Sequence, residues 1–94
     1  MNRTPKHPGY FIGIQMRQCG LNQKKLAEKI LRSDAFIGLL LKGKSRVTAD
    51  TALRLGAFFN TSPELWLNLQ QKYDLWKASQ KDEWKTIQPL EETI

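Results

Sequence analysis

The 94-residue sequence predicts an all-α protein of five helices, the last longer than the others. Three observations lead there. No segment alternates apolar and polar residues over the length of a strand. Apolar residues recur at three- and four-residue spacing, and N-cap residues and glycine or asparagine stops punctuate them. Finally, an apolar content of 40% is ordinary for a folded chain, and a chain of this size buries roughly 60–65% of its unfolded surface, enough for one small core.

The first helix is expected over about Pro8 to Gln18. Proline suits its first turn, Tyr10, Phe11, Ile14 and Cys19 form an inward stripe, and Gly20 stops it. Asn22 caps the second helix, Gln23 to about Ile30, with Leu26, Ala27 and Ile30 inward. Ser33 caps the third, Asp34 to Leu41, with Ile37, Leu40 and Leu41 inward. Gly43 closes it as a residue that tolerates the left-handed conformation. Thr48 caps the fourth, Ala49 to Phe59, with Ala52, Leu53, Leu55 and Phe59 as core and Asn60 as its stop. In "TSPELW", Thr61 and Glu64 have capping-box spacing and Pro63 lies in the first turn. No breaker follows, so the fifth helix, 62–78, spans about 24 Å at 1.5 Å per residue. The polar end "SQKDEWKTIQPLEETI" predicts one short helix around Asp82 to Thr86, or fraying. The domain is therefore 1–79, followed by a polar tail, 80–94.

Composition narrows the function classes. A single cysteine forbids an internal disulfide, and one Cys with one His makes a structural zinc site implausible. No apolar run reaches the ~18 residues of a membrane span, and "MNRTPKHPGY" lacks the apolar stretch of a signal peptide. A cytoplasmic protein is expected. No nucleophile–base pair, phosphate loop or metal spacing appears, so neither enzyme, cofactor nor small-molecule substrate is expected. His7 reads as a local cap or surface residue, and Cys19 as a small buried apolar residue.

The net charge of +6 is uneven. Residues 1–32 carry seven basic and one acidic side chain, residues 33–60 four and two, and residues 61–94 four and six. A basic lobe beside a mildly acidic one suggests a polyanion partner; a solvated basic surface is the plain alternative.

Residues 20–44, "GLNQKKLAEKILRSDAFIGLLLKGK", carry the strongest signal. Two short helices flank a three-residue turn, Leu31-Arg32-Ser33, which is the helix-turn-helix arrangement of 22–41. Ala27 lets the third helix cross close by. In this geometry the third helix enters the major groove and the second crosses the DNA backbone. Lys24 and Lys25 sit in the first turn of the second helix, where the macrodipole disfavours cations. A phosphate docked on that turn would resolve the conflict, with Gln23 as a further donor. Lys42, Lys44 and Arg46 would meet the other phosphate strand. Solvated lysines are the alternative in both places.

"GLNQKKLAEKI", "LLLKGKSRVTADTALRLGAFFNTSPELWLNLQQKYDLW" and the leading "HPG" together resemble the HigA-type antitoxins of the XRE, Cro/CI-like, helix-turn-helix group. The resemblance covers about residues 7–78. It implies a five-helix, lambda-repressor-like DNA-binding domain that dimerises. It also implies the antitoxin half of a two-gene module, which neutralises an mRNA-cleaving HigB-like toxin and represses its own operon at a palindromic operator. Asn22, Gln23, Lys24 and Lys44 match the family's phosphate-side pattern. The base-reading positions fall on Asp34, Ala35, Gly38 and Leu39, with Phe36 nearby, where the family often has Arg, Gln, Ser or Thr. The turn departs too: its usual glycine is Leu31 and the next apolar residue is Arg32, so Leu31 is expected to fill the apolar slot through a shifted turn.

Chemically, Asp34 accepts from a cytosine amine or simply serves as an acid at a helix start. Ala35, Phe36 and Leu39 offer contacts to thymine methyls, and Gly38 allows close approach of the DNA. Modest base discrimination is expected, with shape or partners adding to it. In the fifth helix, Trp66, Leu69, Tyr73 and Trp76 mark one apolar stripe, widened by Leu65, Leu67 and Leu75. Beyond covering the core, part of it is expected to make a homodimer, which would set two third helices about 34 Å apart, one turn of DNA. The expected function is an antitoxin and autorepressor whose partners are operator DNA, a HigB-like toxin and a second copy. A protein–protein module that keeps the fold without base readout, and a phage-type repressor without a toxin, are the alternatives.

Overall fold

A computed structural model describes residues 4–91. Its elements are five α-helices, α1 (Pro8–Cys19), α2 (Gln23–Lys29), α3 (Asp34–Leu41), α4 (Ala49–Phe59) and α5 (Pro63–Ser79), then a 3₁₀ turn, η1 (Glu83–Thr86). The caps follow the sequence. Asn22, Ser33 and Thr48 each accept a hydrogen bond from the backbone N–H three residues on, satisfying one of the donors a helix start leaves free. The stops Gly20, Gly43 and Asn60 all turn left-handed, at φ 67°, 75° and 59°. Ser62 rather than Thr61 caps α5. The Thr61 hydroxyl instead accepts the indole N–H of Trp66 at 2.8 Å, which lets that ring be buried without an unpaired donor.

Ile12, Met16, Leu26, Ala27, Ile30, Ile37, Leu40, Val47, Ala52, Leu55 and Trp66 form one core. Several packing expectations change here. On α1 the buried stripe is Ile12 and Met16, not Tyr10, Ile14 and Cys19; Tyr10 is 49% exposed and Cys19 is exposed. The reason is Gly9. Its missing side chain brings α1 against the end of α3, so close that a Cβ there would strike the Leu40 carbonyl. That contact fixes the rotation of α1 about its axis. On α4, Leu53 points outward at 60% exposure, while Thr51 takes a buried place with its hydroxyl 3.3 Å from that of Thr48. His7 caps α1, its Nδ1 accepting the Gly9 N–H at 2.9 Å.

α4 packs on α5, and α3 packs on both α2 and α1. A polar clamp ties α5 to the loop after α3. The buried Gln70 accepts the Val47 N–H at 2.7 Å and donates to Asp74 at 2.9 Å, and Asp74 pairs in turn with Arg46. Residues 80–91 are exposed throughout, and the molecule extends 54 Å along its long axis.

Candidate nucleic-acid interface

The second and third helices stand in helix-turn-helix order, and the turn between them is held in an unusual way. Leu31 adopts φ 60° and is 81% exposed. It therefore takes the left-handed place of a turn glycine and does not fill an apolar slot. A leucine is strained in that conformation by about 1–2 kcal/mol. Arg54 of α4 supports it: its guanidinium donates to the carbonyls of Ile30 and Leu31 at 2.9 and 3.0 Å while its Nε bonds Asp50 at 2.9 Å. Charge-assisted hydrogen bonds of this kind are among the stronger ones. Arg32, in the same turn, lies 3.8 Å above the ring of Phe36 and 3.4 Å from Asp50. Sequence reasoning missed both arginines in this role. The signal for Arg54 was its position four residues after Asp50.

On the outer side, Asn22, Lys24 and Lys25 are exposed at the start of α2, and Lys25 faces Glu28 at 3.7 Å. Lys42 and Lys44 are exposed past the end of α3. Lys24, Lys42 and Lys44 form no ion pair among the described residues. Between these two basic flanks α3 presents Asp34, Ala35 and Leu39.

Four expected site residues are placed otherwise. The Gln23 amide is engaged within the protein: its Nε2 donates to the Asp34 carboxylate at 2.8 Å and to the Asp34 carbonyl at 3.1 Å. Gly38 does not face open space. The Gln23 amide occupies the space beside it, and a Cβ on Gly38 would come within 3.0 Å of Nε2. Phe36 packs partly against the core under Arg32, which limits its reach to a thymine methyl. Arg46 is engaged with Asp74 on α5.

The α5 stripe is also divided. Trp66, 1% exposed, belongs to the core and is unavailable to a partner. Leu69 packs partly against that core, and Tyr73 meets His7 edge-on at 5.2 Å and Trp76 at 6.1 Å. Leu69, Tyr73 and Trp76 remain half-buried, while Leu65 and Leu75 are exposed. Among the described residues no cluster of side chains suits a metal ion, and no helix is long and apolar enough to cross a membrane.

Two short helices, α2 and α3, packed together across a compact turn, with basic flanks and an exposed side on α3, define a helix-turn-helix domain. Comparison with known proteins narrows the class. No family model matches the chain. Virulence-associated protein A' of Dichelobacter nodosus is 36% identical over 74 residues, which is 78% of this chain and 64% of that protein, so the chain matches less than two thirds of that relative's length. Antitoxin HigA-1 of Vibrio cholerae is 30% identical over 96% of this chain and 90% of its own length. An addiction-module antidote protein of a HigA family from Coxiella burnetii superposes with a TM-score of 0.87 at 35% identity, covering 94% of this chain and all of the other. Pseudomonas aeruginosa antitoxin HigA, solved with the higBA promoter, gives 0.85 at 29% identity over 92% and 98%. The chain belongs to the HigA family of antitoxins.

Proposed function

We propose that this protein is an antitoxin that binds its own operator through α2 and α3 as a homodimer, represses its operon there, and neutralises a HigB-like toxin. One observation carries the DNA reading: Lys24 at the start of α2 and Lys42 and Lys44 past the end of α3 stand exposed with no ion-pair partner among the described residues, on a fold whose relative was solved with promoter DNA. Two cationic edges about a groove-sized helix suit the two phosphate strands that border a major groove. Asn22 and Lys25 complete the first edge. The role is that of a binding protein acting in the cytoplasm, not of an enzyme.

The dimer contact lies on the stripe of α5 that keeps some surface: Leu69, Tyr73 and Trp76, continued by Leu65. Leu65, Leu69 and Trp76 share one side of the helix by their spacing. Replacing Leu65 and Trp76 together with Glu is expected to convert the dimer to monomer in sedimentation equilibrium. A dimer of unchanged affinity rules this face out.

Binding to a duplex from upstream of the protein's own reading frame is expected to weaken steeply with salt. A flat response counts against DNA and favours the protein–protein module, whose supporting observation is the exposed Leu39 at 46% on α3. Co-expression with the neighbouring reading frame tests the toxin partner; independent purification of the two products removes it from the proposal.

A further inference from the structure

We propose that Asp34 is the base-reading residue of α3, that it selects cytosine, and that Gln23 is the residue that positions it. The inference rests on the operator reading above and specifies what that site reads. Asp34 is the only polar side chain in the helix "DAFIGLLL". Ser33, just before it, caps the helix by accepting the Phe36 N–H at 3.1 Å and precedes α3 itself. Any base-edge hydrogen bond from a side chain of α3 therefore comes from the Asp34 carboxylate.

That carboxylate is not left to rotate. The Gln23 amide, reaching across from the first residue of α2, donates to Oδ1 at 2.8 Å and to the Asp34 carbonyl at 3.1 Å. Two hydrogen bonds from one nitrogen to one residue fix both the side chain and the local backbone. Gly38, one turn further along α3, is what makes room. A Cβ there would lie 3.0 Å from the Gln23 nitrogen and 3.6 Å from its amide carbon. The glycine costs helix propensity of up to about 1 kcal/mol, and the space it leaves is filled by the group that orients Asp34. Oδ2 takes no hydrogen bond among the described residues and is free to accept one.

An ionised carboxylate only accepts, and phosphates repel it, so in a groove it is stable only against a donor. Guanine and thymine show only acceptors at the polar positions of their major-groove edges. Adenine offers its N6 amine, but beside the N7 acceptor, which faces the same carboxylate unfavourably. Cytosine offers its N4 amine with an acceptor on one side only, the O6 of the paired guanine, whereas adenine N6 stands between its own N7 and the O4 of the paired thymine. The N4–H of cytosine then donates to Asp34, and the neighbouring Ala35 and Leu39 present only apolar surface to the adjoining pairs.

The test is selection of half-sites from a randomised duplex pool, with thermal unfolding as the control for folding. Wild type is expected to enrich cytosine at one position of each half-site by about tenfold. Asp34→Ala should flatten that position and leave the others unchanged. Asp34→Asn should move the preference to adenine, whose N6 and N7 match an amide. Gln23→Ala should keep Asp34 but blur the cytosine preference, by about threefold, with no new preference appearing. An Asp34→Ala profile identical to wild type, or affinity raised equally on every sequence, overturns the proposal and reduces Asp34 to a helix-start acid. Wild type that binds no duplex even at low salt fails earlier, and overturns the operator reading together with this one.

Discussion

The exposed side of α3 and the apolar stripe of α5 met opposite fates in the fold. On α3, Asp34, Ala35 and Leu39 remain at the surface, and the flanking Lys24, Lys42 and Lys44 form no ion pair among the described residues. On α5, one of the two tryptophans of the stripe, Trp66, is 1% exposed and Leu69 packs partly on the same core. The difference follows from which side of each helix is packed. α3 buries Ile37 and Leu40 fully, with Phe36 and Leu41 packed partly on the same core, where it meets α2 and α1. α5 lies along α4 and meets α1, and its Gln70 is drawn in to satisfy the Val47 N–H. Both helices meet two others. On α3, however, Asp34, Ala35 and Leu39 lie off the packed side and stay exposed. On α5 the stripe itself is the packed side, and only its margins, Leu65 and Leu75, are exposed.

The largest test of that contrast is Trp66→Ala. Removing a fully buried ring is expected to cost about 3–5 kcal/mol in urea unfolding, whereas Leu75→Ala, at 65% exposure, should stay within about 0.5 kcal/mol. Similar costs for the two would mean that the stripe is not divided as described. On the other region, Lys24→Ala with Lys25→Ala should leave stability nearly unchanged and weaken binding to every duplex alike. The slope of log affinity against log salt should become shallower by about 2, near 0.9 per phosphate contact. Loss confined to one sequence would place these lysines on bases.

A smaller effect concerns the turn that sets the angle between α2 and α3. Arg54→Ala removes two hydrogen bonds to the Ile30 and Leu31 carbonyls and is expected to destabilise by about 1–3 kcal/mol. Leu31→Gly should stabilise the wild type by up to about 1 kcal/mol, since glycine takes φ 60° without strain. A destabilised Leu31→Gly protein would show that the leucine side chain makes a contact worth more than the strain.

The smallest effect is with pH. Burial lowers the pKa of His7 below the usual 6.5, a hydrogen bond with the Ser45 backbone and the charge of Asp74 oppose that, and Lys77 adds to it. The neutral ring is also the form whose Nδ1 accepts the Gly9 N–H. The folded state thus holds its proton less readily than the unfolded chain. Its contribution is complete above about 6.5 and declines as pH falls from there through the lowered folded value. His7→Ala should lose that part of the pH dependence in melting curves taken between pH 5 and 8; an unchanged profile would assign it to other groups.

Much of the fold was legible locally. Caps such as Asn22, Ser33 and Thr48, and stops such as Gly43 and Asn60, act within one turn of their own helix, so their residue types announce them. Rotation of a helix was less legible. Ile12 and Met16 replaced Tyr10 and Ile14 as the buried stripe because Gly9 meets Leu40 from a helix distant in sequence. The candidate site divides the same way. Lys24, Lys42 and Lys44 could be placed by their flanking positions, because long charged side chains stay in water whatever packs beneath them. Gln23, Gly38 and Arg46 could not, because each is occupied by a partner eleven or more residues away or makes room for one.

The sequence by itself determined five helices, their ends, the helix-turn-helix spacing, the basic flanks and the resemblance to antitoxins, all of which depend on contacts within a turn or on composition. Only the tertiary structure decided that Leu31 stands in for a glycine under Arg54, that Trp66 belongs to the core, and that Gln23 reaches across Gly38 to hold Asp34. Those depend on which atoms from separate helices arrive within about 3 Å of one another, where hydrogen bonds and steric exclusion act, and helical periodicity carries no record of that distance.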